Sequence, residues 1–528
     1  MSKFVTLEEA MSKIPDNAAI INGGFGSLGS PEELYTGVAE YYAKTGHPKN
    51  ITLVCGITPG DKSESTEPYK GYNLGPNKMA ADGLIGRIWC GNLTDARAIA
   101  YQVADNKYPA YLPPMGVMCN LFRCAAARRP GLLTKVGLGT FADPRIEGCA
   151  VNQKGRDAGK VVELMEIDGE EYLFYKTPPA DVAFIRATYA DEDGNLSMST
   201  EAIHGTELEV AVAAHNNGGI VIAQVENVVR RNSLQAKDVR IHHKLVDYVV
   251  VAQDPMNSRQ CYATMKVRPE LSGDIKLAGN ATKQLPLTYR KVIARRAAME
   301  LQPNIIINLG SGMPSGIGSI AAEEGIEGLT TSVESGPMGG QVQEGLSFPS
   351  VANAECMFAQ TDTIDMYDGG MLDMAFLGGA EIDAYGNVNV SKFGGRCIGA
   401  GGYINISQNS KTVFFLGSFT TKSEIEITDD GLKIIKDGDA KFVENVQQIT
   451  FAGETARKKK QKIMYITERA VFKLHEEGGL ELIEIAPGVD LEKDILAKMQ
   501  FKPKVSADLK LMDARLFRAG VMGIKDDK

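Results

Sequence analysis

One glutamate stands out among the residues that could do chemistry. Glu334 ends a strand-like run at residues 331–333 and enters a loop of serine, glycine and proline that reaches Gly340. A carboxylate has a reference pKa of about 4.3, so it is ionised at neutral pH and can attack a thioester without a general base. A glutamate at the carboxyl end of a strand lies where α/β folds bind ligands, whereas an ordinary loop glutamate is only solvated. The residue pattern alone leaves both interpretations open.

Three further glycine-rich loops accompany this glutamate, at residues 22–31, 308–314 and 399–405. The first two each follow a predicted strand and reach a proline, Pro31 or Pro314, near the start of a helix. Such loops present backbone N–H groups that can hold an anion or a developing oxyanion. The first loop has neither the dinucleotide-binding nor the P-loop spacing, and a plain tight turn remains the alternative. Together the loops favour a site lined by backbone donors.

The spacing of histidine and cysteine does not indicate metal or redox chemistry. The six histidines lack the spacing of metal ligands, and the eight cysteines include no C-x-x-C pair and lie in apolar surroundings. We therefore expect no metal site and no permanently bound cofactor. The cysteines are expected to pack in the core.

These residues must be positioned by alternating strands and helices. Short β-branched runs typical of buried strands occur at residues 51–54, 219–225, 248–252, 304–308 and 412–416. Longer amphipathic stretches indicate helices at residues 31–42, 93–104 and 288–301. Strands interleaved with helices predict parallel βαβ units, so the fold class is α/β.

The chain also contains an internal repeat. Residues 181–199 align without a gap with residues 373–391, and both segments contain an Asp-x-x-Gly-Asn turn. The strand-and-glycine element at residues 19–26 has a counterpart at residues 305–312. The repeat predicts two related open α/β domains joined as a pseudo-dimer in one chain, with a ligand cleft between them.

The length of the chain favours the same division. With 528 residues it exceeds the size at which one hydrophobic core stops growing. The polar stretch at residues 268–286 has neither helical nor strand periodicity and is predicted to be a linker. We expect an N-terminal domain at residues 1–275 and a C-terminal domain at residues 276–528 that carries Glu334.

Charge and hydropathy exclude several classes of partner. The formal net charge is −9 and no basic block is present, so we expect no nucleic acid partner. No segment holds 18 uncharged apolar residues, and acidic residues interrupt the N-terminal stretch where a signal peptide would be apolar. We therefore expect no membrane partner and a cytoplasmic location.

Taken together, the motifs resemble those of the family I coenzyme A transferases, and within that family the single-chain group that includes propionate and acetate CoA-transferases. The N-terminal signature is similar in Asp16-Asn17, Gly23-Gly24-Phe25 and Gly29-x-Pro31. Glu334-Ser335-Gly336 falls where the family has its nucleophilic glutamate. The similarity extends over nearly the whole chain and includes residues 137–145, 465–472 and 483–496.

The resemblance implies an open α/β fold of the NagB/RpiA/CoA-transferase type and assigns roles to individual residues. Glu334 is the catalytic nucleophile. Coenzyme A is expected to contact Gly310, Ser311, Gly312, Met313, Pro314 and Gly401, and the reacting thioester to contact Gly24, Met115, Gly116 and Gly402. The family usually has glutamine at the position of Met115, whose thioether cannot donate a hydrogen bond. We therefore expect backbone N–H groups near Gly116 to stabilise the oxyanion.

The activity implied by the resemblance is transfer of coenzyme A between a short-chain acyl-CoA and a free monocarboxylate such as acetate, propionate or butyrate. The reaction would be ping-pong, through a glutamyl-CoA thioester. Two alternatives remain: an acyl-CoA thioesterase, and an acyl-CoA sensor without catalysis, because a fold does not determine a function. The resemblance also suggests a homo-oligomer, either a tetramer or a dimer.

Overall fold

The computed structural model describes residues 2–60, 74–278 and 284–527, and two large sheets dominate it. The first sheet contains seven parallel strands in the order β4-β3-β2-β1-β5-β6-β7. They are β1 (Ala19–Asn22), β2 (Ile51–Cys55), β3 (Ile85–Cys90), β4 (Ala110–Tyr111), β5 (Val182–Asp191), β6 (Ile220–Val229) and β7 (Tyr248–Val251). Two short strands, Leu196–Ser197 and Val239–Ile241, extend this sheet beside the end of β5.

The second sheet has the order β9-β8-β10-β11-β12-β13-β14-β15. Its strands are β8 (Ile305–Leu309), β9 (Leu329–Thr331), β10 (Met374–Gly378), β11 (Thr412–Leu416), β12 (Lys462–Ile466), β13 (Ala470–Leu474), β14 (Leu480–Ile485) and β15 (Lys504–Leu511). The first five of these in sheet order are parallel. Each sheet is therefore built from the parallel βαβ units that the sequence predicts.

Helices pack on both sheets. Those longer than six residues are α1 (Glu32–Thr45), α2 (Arg97–Ala104), α3 (Met115–Ala126), α4 (Glu207–Asn216), α5 (Tyr289–Ala298), α6 (Gly316–Glu323), α7 (Gln360–Asp368) and α8 (Tyr403–Asn409). Because helices cover the parallel strands, these strands read as continuous apolar runs; Phe376 of β10 and Phe414 of β11 stack with ring centroids 4.7 Å apart.

The two sheets share a five-stranded unit, as the internal repeat predicts. The order β2-β1-β5-β6-β7 corresponds to β9-β8-β10-β11-β12. The hydrogen bonds repeat as well: Asn195 donates to Asp191 in the first turn, and Asn387 donates to Asp383 in the second, each at 2.9 Å. The two halves of the chain are thus related in structure as well as in sequence.

Each sheet has its own apolar core, and the cores are joined at one place. Cys397, Ala400 and Ile404, from the second half of the chain, belong to the core around the first sheet. A smaller apolar cluster contains Phe25 and Met115 from the first half and Ile364 from the second. The contact between the halves is therefore packed.

The stretch predicted as a linker is ordered where it is described. Pro269–Ser272 forms a helical turn, and Leu271 is fully buried. Asn353 N donates to the carbonyl of Glu270, and Leu277 N donates to the Asn353 side chain. The described part of the predicted linker is therefore an ordered segment that packs against the second half. Residues 279–283 lie outside the described part, and the boundary at residue 275 stays a prediction.

No helix of the described residues has the length and apolar character needed to cross a membrane.

Candidate active site

Two of the predicted site residues of the second half, Glu334 and Gly310, lie at the carboxyl ends of its parallel strands. Glu334 follows β9, Gly310 follows β8, and Gly379 follows β10. Ligands bind at this end of open α/β sheets, because the loops that follow the strands gather there.

The carboxyl group of Glu334 meets two of the residues predicted to hold the thioester. A Cβ atom on Gly402 would lie 3.0 Å from Glu334 Oε1 and 3.1 Å from Met115 Cε, so any side chain at this position would crowd both groups. Gly402 immediately precedes α8, and its N–H makes no hydrogen bond within the described part of the chain. The structure therefore brings a carboxylate, a thioether and one unused backbone donor together.

Glu334 is half-buried and has no counterion among the described residues. No lysine, arginine or histidine of the described residues forms an ion pair with it. Burial raises the pKa of Glu334, while hydrogen bonds from its own backbone and from the Asn308 side chain act in the opposite direction. A desolvated, unpaired carboxylate is a stronger nucleophile than a solvated one, because fewer hydrogen bonds must be broken before it attacks.

Asn308 is a site residue to which the sequence analysis assigned no role. Its amide nitrogen donates to the carbonyl of Ser332 at 3.0 Å, and Tyr367 donates to the Ser332 hydroxyl at 2.8 Å. These bonds fix the amide beside Glu334. The internal repeat could have pointed to Asn308, because Asn22 occupies the corresponding end of β1 and is equally buried.

Met115 and Gly116 begin α3, and their backbone donors are already used. Met115 N donates to the carbonyl of Gly401 at 2.9 Å, and Gly116 N donates to Asn405 Oδ1 at 3.1 Å. The expectation that N–H groups near Gly116 stabilise an oxyanion therefore conflicts with this structure, in which those groups tie the first half to the second. The Gly402 N–H is the unused backbone donor at this point.

Gln360, at the start of α7, was also missed. Its amide nitrogen contacts the sulfur of Met115 at 3.2 Å, and its Oε1 is buried without a hydrogen-bond partner. Nothing in its local sequence, Ala359-Gln360-Thr361, distinguishes it from an ordinary polar residue.

The first glycine loop is a tight turn that closes on itself. Phe25 N donates to the Leu28 carbonyl and Leu28 N donates to the Phe25 carbonyl, at 2.8 and 3.0 Å. Gly24 has a φ of +90°, and a Cβ there would lie 2.7 Å from the carbonyl of Gly29. The loop contributes an apolar surface, because Phe25 and Leu28 pack in one cluster with Met115.

The second glycine loop lies at the surface beside the site. Ser311 and Gly312 are exposed, Pro314 is buried, and Met313 packs against the core of the second sheet. The N–H of Gly310 is taken by the carbonyl of Phe376 at 2.8 Å. In the third loop, Gly401 N donates to the carbonyl of Gly91 at 2.9 Å, so this residue joins the two halves.

Comparison with known proteins identifies the family. The family model described as "Coenzyme A transferase" matches residues 4–252. The chain is 45% identical over 526 residues to caffeate CoA-transferase of Acetobacterium woodii, with 98% of each chain covered. It is 40% identical over 523 residues to acetate CoA-transferase YdiF of Escherichia coli strain K12, covering 98% of this chain and 96% of that one.

The chain belongs to the coenzyme A transferase family. Its fold matches the crystal structure of the acyl-CoA transferase YdiF of E. coli O157:H7, described as a thioester complex with CoA. The TM-score is 0.91 at 39% identity, with 99% of this chain and 97% of that chain covered. The fold class inferred from the sequence is thereby confirmed.

The transferase shows no cluster of three or more histidine, cysteine, aspartate or glutamate side chains suited to a metal ion among its described residues. The site is instead defined by one carboxylate, one open backbone N–H and apolar side chains. This set of groups suits acyl transfer, which needs a nucleophile and an oxyanion donor.

Proposed function

We propose that this transferase moves coenzyme A between a short-chain acyl-CoA and a free monocarboxylate, through a glutamyl-CoA thioester on Glu334. The observation that carries the proposal is the closeness of the half-buried Glu334 carboxyl, which has no counterion among the described residues, to Gly402, whose N–H makes no hydrogen bond with them. The named relatives support it, since they are transferases of coenzyme A to acetate or caffeate, and the YdiF crystal structure contains a CoA thioester.

The first half-reaction forms the enzyme thioester in two steps. The Glu334 carboxylate attacks the carbonyl of the acyl-CoA, the C–S bond breaks, and an acyl-glutamyl anhydride and CoA thiolate result. The thiolate then attacks the glutamyl carbonyl of the anhydride and displaces the first carboxylate. A second carboxylate reverses these steps and leaves as the new acyl-CoA. One thioester replaces another, so no ATP is consumed.

The surroundings of Glu334 suit both steps. The Gly402 N–H is placed to donate to a carbonyl oxygen that becomes negative during attack, and removal of one such donor typically costs about 10²–10³ in turnover. The hydrogen bond from Asn308 lowers the pKa of Glu334 and so opposes the effect of burial. The apolar side chains of Met115, Phe25 and Leu28 exclude water, which would hydrolyse the anhydride.

The acyl group is proposed to be a short monocarboxylate of the acetate, propionate or butyrate type. Met115, the side chain beside Glu334, offers neither a charge nor a strong hydrogen-bond donor, which disfavours a dicarboxylate. Steady-state rates with acetate, propionate, butyrate, lactate, acrylate and caffeate as acceptors test this class. Faster transfer to caffeate than to any short acid would replace the short-chain assignment with an aromatic one.

The decisive experiment is covalent trapping on Glu334. We expect incubation with acyl-CoA to add a CoA-sized mass to the protein, hydroxylamine to release it, and borohydride to reduce the residue at position 334. Glu334→Gln should lose the adduct and at least 10³-fold of turnover, while circular dichroism and thermal unfolding stay unchanged. Glu355→Gln, an exposed glutamate of the same half, is the matched control and should behave as the unmodified sequence does.

Two results would contradict the proposal. Release of CoA at the same rate with and without an acceptor carboxylate would identify a thioesterase. Binding of acyl-CoA without any adduct at Glu334 would identify a sensor that does not need the carboxylate.

A further inference from the structure

A buried lysine at the carboxyl end of the second sheet has no role in the reaction above. Lys441 is 8% exposed, and its side-chain ammonium makes no hydrogen bond or ion pair with the described residues. A Cβ on Gly417, just after β11, would lie 2.7 Å from Lys441 Nζ and 2.7 Å from the carbonyl oxygen of Gly379. Gly379 follows β10, so the ammonium lies beside two glycines at the ends of adjacent strands.

The acidic groups near this ammonium are already engaged by other cations. Glu468 exerts the attraction on Lys441, but its Oε1 lies 3.4 Å from Arg469 Nε. Arg469 also pairs with Asp437 at 2.9 Å, and Lys498 pairs with the same carboxylate at 3.1 Å. Three cations therefore face two carboxylates. The desolvation of Lys441 lowers its pKa to about 8, as expected of a buried ammonium without a dedicated counterion.

The position of the lysine relative to Glu334 follows from the sheet order. Glu334 follows β9 and Gly417 follows β11, and these strands are three places apart in the order β9-β8-β10-β11. At about 4.8 Å between neighbouring strands, the separation is roughly 14 Å, which an extended pantetheine arm can span. The strand ends between them carry Gly310 and Gly378-Gly379, whose backbone leaves room for an extended ligand.

We propose that Lys441 binds a phosphate group of coenzyme A at the far end of this row of glycines. The inference rests on the proposed function, because it places the thioester at Glu334 and the rest of the cofactor along the strand ends. The ligand chemistry is a phosphate oxyanion, supplied either by the pyrophosphate or by the 3′-phosphate. Such an anion would balance the charge of the three cations and two carboxylates around Lys441. Charge-assisted hydrogen bonds to phosphate are also stronger than neutral ones.

Binding is measured first, in protein that cannot turn over. In the Glu334→Gln background, calorimetric titration with CoA should show the Kd raised about tenfold by Lys441→Met, since a charge-assisted hydrogen bond to the phosphate is lost. Lys441→Gln is measured in parallel, and thermal unfolding checks that both variants fold. Lys411→Met is the matched control, because Lys411 lies at the opposite end of β11 and pairs with Asp373. It should leave the Kd unchanged.

Turnover then separates phosphate binding from a structural effect. With Glu334 intact, Lys441→Met should lower kcat/KM for acyl-CoA about tenfold and leave kcat/KM for acyl-pantetheine, which has no phosphate, unchanged. Equal losses with acyl-CoA and acyl-dephospho-CoA assign the pyrophosphate, and a loss with acyl-CoA alone assigns the 3′-phosphate.

The proposal is overturned if the Kd for CoA is the same with and without the lysine. It is also overturned if acyl-pantetheine loses as much activity as acyl-CoA, because the lysine would then act on the protein alone. Failure of the proposed function looks different: no adduct would form on Glu334, while the titration with CoA would still report on Lys441.

Discussion

At the scale of single residues, the reactivity of Glu334 depends on two opposing influences. Burial raises the pKa of its carboxyl group, and the hydrogen bond from Asn308 lowers it. The balance must leave the carboxylate ionised at working pH, because only the anion attacks a carbonyl. Asn22 provides an internal comparison. It lies at the end of β1, as Asn308 lies near the end of β8, and its side-chain amide donates to the carbonyl of Gly23.

We predict that Asn308→Leu moves the acidic limb of the kcat/KM profile to higher pH, because the variant loses the hydrogen bond that lowers the pKa of Glu334. The sign follows from the direction of the shift: without the bond, Glu334 stays protonated to higher pH, and the protonated group is inactive. Profiles between pH 4.5 and 8 measure the shift. Asn22→Leu is the control, and an identical profile for the two variants would contradict the assignment.

At the scale of elements, the two halves share a five-stranded framework but carry different residues at the starts of the equivalent helices. In the second half, the start of α8 meets Glu334 at Gly402. In the first half, the start of α4 carries Glu207, which is 1% exposed and has an unpaired Oε1 against the Gly24–Gly29 turn. A carboxylate at a helix N-terminus is favourable, but here burial dominates and raises the pKa of Glu207 to about 8.

The burial of Glu207 predicts that the free energy of unfolding decreases as the pH rises. The substitution Glu207→Gln should remove this decrease. The folded-state pKa of Glu207 lies above its ordinary value of 4.5, so the protonated form stabilises the fold below that value and the contribution is lost as pH rises through about 8. Glu207→Gln should therefore be increasingly more stable than the unmodified protein between pH 5 and 8.5. Urea unfolding at several pH values measures the difference in the free energy of unfolding. Parallel pH profiles for the two proteins would refute this account.

At the scale of the whole molecule, the site is assembled from both halves. Glu334 and Gly402 come from the second, and Met115 comes from the first. The start of α3 is tied to the second half by Met115 N and Gly116 N, and Arg123 at its other end pairs with Asp362 and Asp365 of α7. Each half alone thus lacks part of the proposed site. The homo-oligomer suggested by the resemblance remains a prediction that light scattering of the purified protein can test.

We predict that fragments 1–275 and 276–528 are inactive alone and regain transferase activity when co-expressed, because the interface between them is packed and hydrogen-bonded. Co-purification and the rate of acyl transfer measure the reconstitution. The same pair with Glu334→Gln in the second fragment is the control and should co-purify without activity. Activity of fragment 276–528 alone would show that Met115 and the first glycine loop are dispensable.

The amino-acid sequence by itself determined the fold class, the internal repeat and the choice of Glu334 as the candidate nucleophile. These features are local or periodic: apolar runs report strands, the Asp-x-x-Gly-Asn turns hold their shape by hydrogen bonds within five residues, and a lone carboxylate among glycines is visible in the chain. The order of residues 268–277 is not visible in the sequence, because the stretch is polar and aperiodic and is held by tertiary contacts such as those with Asn353 and Gln343.

Only the tertiary structure decided which groups meet. Glu334 and Gly402 are far apart in sequence and meet through the fold of the second half, and Met115 reaches them only because the two halves dock. In the docked halves the N–H groups of Met115 and Gly116 are hydrogen-bonded, and that of Gly402 is not bonded to any described residue. The spacing of residues along the chain does not predict this difference. Lys441 shows most clearly what the sequence alone could not predict. Its neighbours in sequence are unremarkable, and its isolation as a buried charge arises from strand ends and ion pairs contributed by distant segments.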